Sequence, residues 1–183
     1  PPVPGLTLAG NWINYGGEFQ TPKMCIVDGI VHLSGLVRNG QWGNIATLPE
    51  GCRPAGRLIF DVSHGANSIR VDVEANGHIV YVAGAHPSVW VPLDGIRFPL
   101  PEVPSVPGLT LAGTWTNHGG EYQTAKMCIV NGVVYLSGLV KDGQWGHIAT
   151  LPEGYRPAGR LIFDVSHHES SIRVDVEANG NIL

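Results

Sequence analysis

Two short polar motifs carry residue types that could do chemistry. The motif DVSH supplies Asp61, Ser63 and His64, and such a trio can act as nucleophile, base and orienting acid. On a strand, however, Asp61 and Ser63 share one face while His64 points to the other, so we predict a strand that runs into a polar loop. The motif HHES at 167–170 could bind metal or transfer protons, but the aligned residues 64–67 read HGAN. We therefore predict that the chain is not an enzyme and has neither a cofactor nor a metal site.

A second group of residues could bind a polar ligand. Aromatic rings stack on the apolar face of a sugar, while amides and carboxylates bind its hydroxyl groups. Turn-like segments offer this combination twice, and the candidate ligand-binding residues are Tyr15, Glu18, Gln20, Trp42, His118, Glu121, Gln123 and Trp145. The alternative is that the aromatic rings close the ends of a small β domain. We expect that role for Trp12, which lies in a strand pattern.

These candidates come in pairs because the chain repeats itself. Trp12 aligns with Trp115, 103 residues later, and only 17 of the 78 positions in 3–80 differ from 106–183. A period of about 100 residues is the size of a whole domain and longer than a solenoid unit. The chain is therefore predicted to be an array of domains, each with its own core.

Composition and charge exclude several functions. The net charge is −4 and the 11 Lys and Arg residues are scattered, whereas nucleic acids and anionic membranes require clustered positive charge. No apolar run approaches the roughly 18 residues of a membrane span. We predict no nucleic-acid partner and no membrane insertion. Since the sequence opens without Met or a signal sequence, we expect it to be a processed or excised piece.

The coarse secondary structure is nearly all strand. Asp28-Gly29 and Asn131-Gly132 each separate two apolar runs and suit two-residue hairpin turns, and Asn76-Gly77 is predicted to turn a further strand back. Residues 69–74 alternate apolar and charged, which indicates a strand with one face in water. We predict eight to ten short strands in each repeat, forming an antiparallel β-sandwich of jelly-roll type. The predicted core positions, together with their counterparts 103 residues later, are Leu58, Phe60, Val62, Ile69, Val71 and Val73.

Prolines at 99, 101, 104 and 107 mark a boundary between the repeats. Alternate prolines favour an extended polyproline conformation, so we predict a first domain at 1–98, a spacer at 99–107 that holds the domains apart, and a second domain at 108–183. Pro1 aligns with Pro104, which suggests further copies upstream. Leu183 aligns with Val80, so we expect an incomplete second domain. Its open strand edges would be filled by continuation of the chain or by a strand from a neighbour.

The three cysteines do not form an obvious disulfide framework. Cys25 aligns with Cys128, but Cys52 aligns with Tyr155. Since a Cys25–Cys52 bridge could not be repeated in the second copy, we favour free thiols and expect Cys25 and Cys128 to be partly buried in a strand. A disulfide remains the alternative.

The runs GLVRNGQWGNIATLPEGCRPAGRLIF, VDVEANGHI and VWVPLDGIRF resemble β-sandwich modules at the tips of bacteriophage tail and receptor-binding proteins, and in repetitive extracellular proteins of microbes. The resemblance implies attachment or assembly, sometimes through glycans, outside the cell or at its surface. A fibre-tip module usually occurs as a single copy at the end of its chain. The present sequence differs, because it has tandem copies joined by a proline spacer.

Two functions therefore stay open. The first is a non-enzymatic structural or adhesive array, whose partners are other copies of the repeat or neighbouring chains. The second is a multivalent carbohydrate-binding protein, in which weak sites gain avidity through the spacer. Several differences between the repeats, such as Tyr15 against His118 and Asn44 against His147, lie in loops that a shared sugar site would occupy, which favours the structural function.

Overall fold

The fold is all-β and antiparallel, as the sequence predicts. The computed structural model describes residues 5–84, 90–168 and 170–183. Every regular element within these ranges is a strand, and none of these residues forms a helix that could cross a membrane. The opening residues 1–4, which the repeat alignment assigns to a second spacer, lie outside the described part of the chain.

The described residues of 1–98 form eleven strands, slightly more than predicted. They are β1 Thr7–Leu8, β2 Ile13–Asn14, β3 Lys23–Val27, β4 Ile30–Ser34, β5 Leu36–Arg38, β6 Gly43–Thr47, β7 Leu58–His64, β8 Asn67–Val73, β9 His78–Ala83, β10 Val91–Pro92 and β11 Arg97–Pro99. The rest of the described chain forms ten. They are β12 Ser105–Val106, β13 Thr110–Leu111, β14 Thr116–Asn117, β15 Lys126–Val130, β16 Val133–Ser137, β17 Val140–Lys141, β18 Ala149–Thr150, β19 Leu161–His167, β20 Ser170–Val176 and β21 Asn181–Ile182.

The two repeats share their main sheet and differ at the edges of the smaller ones. The first repeat has a five-stranded sheet in the order β1-β6-β9-β8-β7, and the second has the matching order β13-β18-β21-β20-β19. In the first repeat the smaller sheets run β10-β5-β2 and β11-β4-β3. In the second they run β14-β17 and β12-β15-β16. In the first repeat, β11 covers the edge of β4 and β10 covers the edge of β5. The matching strands of the second repeat are β16 and β17, and no described strand pairs with those edges.

The predicted hairpin turns are confirmed. Asp28 and Gly29 both have positive φ, 49° and 80°, and join strands whose last pair is Val27 with Ile30. Positive φ at both central residues defines a type I′ turn, whose twist matches that of the strands it joins. Asn76-Gly77 also lies in a turn, the four-residue connection 74–77 between β8 and β9, in which Gly77 has a φ of 93° and its N–H donates to the Glu74 carbonyl at 2.9 Å.

The first repeat has one hydrophobic core between its sheets. Residues of the five-stranded sheet and of both smaller sheets belong to a single buried cluster, which is the arrangement of a sandwich. The predicted core of this repeat is confirmed, since five of the six positions are buried and Phe60 packs against the cluster. The jelly-roll connectivity stays a prediction.

Three predicted core positions of the second repeat are wrong. Leu161, Phe163 and Val165 are 48%, 47% and 37% exposed. In the first repeat the matching strand is covered by β10, and the ring of Phe60 lies 6.5 Å from that of Phe98. No residues of this sequence align with β10 and β11 in the second repeat, and no strand among the described residues covers this inner face of β19 in their place.

The proline-rich segment is attached to the sheets at both ends, which differs from the predicted spacer. Pro99 ends β11 opposite Ile30, and Leu100 is 3% exposed, with its N–H donating to the Gly29 carbonyl at 2.8 Å. Ser105 pairs with Cys128 in the second repeat. The burial of Leu100 fixes a segment that its prolines alone would leave extended. The domain boundaries at 98/99 and 107/108 stay predictions.

All three thiols are free, which confirms the favoured interpretation. Cys128 is buried as expected, whereas Cys25 is exposed, so that part of the prediction is wrong. Cys128 is more buried than Cys25 because β12 pairs with β15 and covers it at Cys128. Burial raises the pKa of the Cys128 thiol and also that of Cys52.

Candidate functional site

The polar loop of the first repeat projects into solvent. Gly16 and Gly17 have positive φ, 82° and 64°, and they turn the chain after β2. Tyr15 packs edge-on against Phe19 at 4.9 Å between ring centroids, and the Arg38 guanidinium lies 5.0 Å above the Tyr15 ring. The side chains of the two predicted polar contacts, Glu18 and Gln20, are exposed.

The matching loop of the second repeat is in contact with the first repeat. Glu121 accepts a hydrogen bond from Arg57 Nη1 at 2.8 Å. Gln123 is only 6% exposed, and its Nε2 donates to Ser137 Oγ at 2.7 Å. His118 packs edge-on against Tyr122 at 4.6 Å. Three of the four predicted binding residues in this repeat thus lie in a loop that is part of a contact within the chain.

The fourth candidate in each repeat, the tryptophan of GQWG, lies apart from the polar loop. Trp42 is 49% exposed and stacks on Tyr81, with 5.1 Å between centroids and 17° between planes. Trp145 is 84% exposed, because no residue of this sequence aligns with Tyr81 to support it. An open pocket of about 200 Å³ beside Trp42 is lined by Gly10, Asn11, Trp12, Gln41, Trp42 and Asn44.

The structure therefore does not join the predicted residues into one pocket. The residues that line the space beside Trp42 do not include Tyr15, Glu18 or Gln20. Trp12 is 4% exposed and packs against Tyr81, in keeping with the structural role expected for it. The assignment of the eight residues to ligand binding stays a prediction.

Arg57 is the residue that the sequence did not reveal. Its Nε donates to Asp72 Oδ2 at 2.6 Å, its Nη1 reaches Glu121 at 2.8 Å, and its guanidinium lies 5.6 Å from the centroid of the Tyr122 ring. Burial alone would lower the pKa of Arg57, but the hydrogen bond and charge of Asp72 raise it overall. The guanidinium is thus a permanent positive charge between Asp72 and Glu74 of its own repeat and Glu121 of the other.

The prediction that the charged face of β8 lies in water is wrong at Asp72. Its side chain is completely buried, and it accepts bonds from Arg70 Nε and Nη2 at 2.7 Å as well as from Arg57. A buried carboxylate needs this number of donors, because a charge without partners costs several kcal/mol. The alternation along β8 places Asp72 on the charged face of the strand. It does not indicate that Arg57 and Arg70 cover the Asp72 carboxylate.

Backbone contacts accompany the Arg57 side chain. Arg57 N–H donates to the Glu121 carbonyl at 2.8 Å, and Gln123 N–H donates to the Arg57 carbonyl at 3.1 Å, which makes a parallel bridge with Tyr122. Gly56 allows this approach, because a Cβ there would lie 2.9 Å from the Gln123 backbone. We call Gly56 and Arg57 the arginine side of this contact, and Glu121, Tyr122 and Gln123 its loop side.

Equivalent strands also meet between the repeats. Strand β7 contacts β19, and β8 contacts β20. Burial first, and then the like charge of Asp164, raise the pKa of Asp61. An open cavity of about 610 Å³ between the repeats is lined by Arg70, Val82, Ala83, His167, His168 and Ser170. Glu169 of the HHES motif lies outside the described residues, and the residues that are described hold no group of three or more potential metal ligands.

The fold and these contacts define an all-β repeat protein whose two repeats pack on each other through a polar loop. No protein-family model and no curated protein matches the chain. Among solved structures, it is similar to the crystal structure of the receptor-binding protein (gp15) of Listeria phage PSA, with 20% sequence identity and a TM-score of 0.43. The match covers 54% of this chain and 64% of that chain. That protein belongs to the class that the sequence motifs resemble.

Proposed function

We propose that the chain is a non-enzymatic structural and adhesive module of a tandem-repeat extracellular protein. Its repeats assemble by direct packing, at the cell surface or in a longer filament. The observation that supports this proposal is the contact made by Arg57, which ties the charged face of one repeat to the loop of the other. The other copies of the repeat are then its principal partners.

The energetics of the contact suit an assembly surface. An exposed ion pair contributes little, typically less than about 1 kcal/mol. Arg57, by contrast, is 16% exposed and its partner Asp72 is fully buried, while Glu121 is 61% exposed. The backbone bonds on either side of Arg57 fix the register. The charge pairing and the fixed backbone register together favour the matching loop over other partners.

Exchange of two backbone amides tests this packing. The amides of Arg57 and Gln123 should be protected from hydrogen exchange, since both donate across the contact. The change Gly56→Ala should expose both amides and leave β8 protected, because the added methyl group would collide with the Gln123 backbone. Gly95→Ala is the control, as no atom lies within 4 Å of its Cβ position.

The proposal fails if both amides exchange freely in the unmodified chain. It also fails if Gly56→Ala leaves their protection unchanged, because the two repeats would then not be held together by this contact.

A second candidate function is glycan binding beside Trp42. The half-exposed indole and the amide side chains of Asn11, Gln41 and Asn44 around one open pocket support it, since a flat ring with neighbouring amides suits a sugar. A glycan array on the unmodified chain tests it. Specific binding that is lost in Trp42→Ala with Trp145→Ala would establish the lectin, and the absence of binding would remove it.

A further inference from the structure

The contact between the repeats runs in one direction only. The first repeat supplies the arginine side, and the second supplies the loop side. The 103-residue alignment assigns each repeat the other half as well, with Gly159 and Arg160 in the second repeat and Glu18, Phe19 and Gln20 in the first. Within the described residues, neither of these halves meets the other.

The arginine side of the second repeat is built like that of the first but is uncovered. Arg160 pairs with Asp175 at 3.3 Å and with Glu177, as Arg57 pairs with Asp72 and Glu74. The Arg160 side chain is 53% exposed, against 16% for Arg57. Gly159 has nothing within 4 Å of its Cβ position and is free of positive φ. Nothing inside its own repeat therefore requires a glycine there, whereas a docked loop would.

The loop side of the first repeat is equally open. Gln20 is exposed while Gln123 is 6% exposed, and Phe19 is 47% exposed while Tyr122 is half-buried. Glu18 matches Glu121 and has no ion-pair partner among the described residues. The chain thus carries one used and one unused copy of each half.

The geometry excludes a twofold relation between the repeats. A twofold axis would place Arg160 on Glu18 in the same way as Arg57 on Glu121, but among the described residues Arg160 pairs only within its own repeat. A contact between two different surfaces is heterologous, and it leaves one free half at each end until further copies close it.

We propose that a second copy of this chain docks its Glu18–Gln20 loop on Gly159 and Arg160. The inference rests on the proposed function, because it extends the same contact from within one chain to between chains. Arg160 binds Glu18 of the incoming copy, and the backbone of Arg160 forms the parallel bridge with Phe19. A methyl group at Gly159 is excluded for the same reason as at Gly56.

Sedimentation velocity over a series of protein concentrations tests the docking. The unmodified chain should self-associate, and Gly159→Ala should weaken association at least about tenfold while leaving the fold intact. Glu18→Arg should weaken it as well, since it places like charges together without removing a bond inside its repeat. Glu50→Arg, a change of the same charge at an exposed glutamate in another turn, is the control and should associate normally.

Three outcomes would overturn the proposal. The first is a chain that stays monomeric at every concentration, and the second is Gly159→Ala associating as tightly as the unmodified chain. The third is association that resists both variants but is lost in Phe163→Ser, which would assign it to the uncovered inner face of β19. Amide protection at Arg57 and Gln123 separates these results from a failure of the proposed function. If it persists while association is absent, only the docking between chains is refuted.

Discussion

Truncating the same leucine in both repeats should have very different costs. Leu58 is 5% exposed and Leu161 is 48% exposed, although each begins the same strand of its repeat. Leu58→Ala leaves a cavity in a closed core and should cost about 3 kcal/mol. Leu161→Ala removes only partly buried methyl groups and opens no closed cavity, so it should cost about 1 kcal/mol or less.

Hydrogen exchange measures the two costs separately, because the repeats need not unfold together. Leu58 pairs with Val73 on β8, and Leu161 pairs with Val176 on β20, so the amides of β8 and β20 report on the two sites. The difference of about 2 kcal/mol corresponds to a roughly 30-fold larger change in the opening equilibrium for Leu58→Ala. Equal losses in both repeats would refute the reasoning, since the inner face of β19 would then have to be covered in solution.

Three further measurements follow from the same structure. Appending a copy of residues 81–98 to the end of the chain should raise the melting temperature of the second repeat in calorimetry, and no change would mean that its open face needs no cover. Burial and the charge of Asp164 raise the pKa of Asp61, so the folded state binds this proton more tightly and the free energy of unfolding falls as pH rises through that pKa. Asp61→Asn should therefore stabilise the protein at neutral pH, with a gain that disappears below the ordinary pKa near 3.8; a gain that persists in acid denaturation would contradict this. A thiol reagent should modify the exposed Cys25 well before the buried Cys128, whose pKa is raised, and peptide mass spectrometry would show similar rates for the two thiols if β12 did not cover β15.

Local patterns were sufficient for the strands and turns. The pair Asp28-Gly29 indicates its hairpin because a type I′ turn needs positive φ at both central residues, and Asp-Gly accepts it. Alternation along β8 identified Ile69, Val71 and Val73 as the buried side because side chains on a strand alternate between its faces. Both signals depend on neighbours in the chain, so they can be read without knowledge of the rest of the fold.

The candidate site depended on contacts between distant residues, which the sequence does not show. Asp72 looks like a solvated residue until Arg57 and the loop of the other repeat cover it. Phe163 looks like core until the absence of a neighbour such as Phe98 is taken into account. Leu100 fixes a segment whose prolines suggested a free spacer. In each case the burial of the residue depends on a covering partner that lies far from it in the sequence.

The contact between Asp28 and Asn131 shows what duplication within one chain makes possible. These residues occupy the same position in the two hairpin turns, and Asn131 Nδ2 donates to Asp28 Oδ2 at 2.6 Å. An assembly of identical repeats would bring Asp against Asp or Asn against Asn at this point, and the first of these pairs repels. Because the two copies lie in one chain, each can carry a different residue, so one supplies the acceptor and the other the donor. The difference at this position is thus a way for two diverging copies to recognise each other rather than themselves.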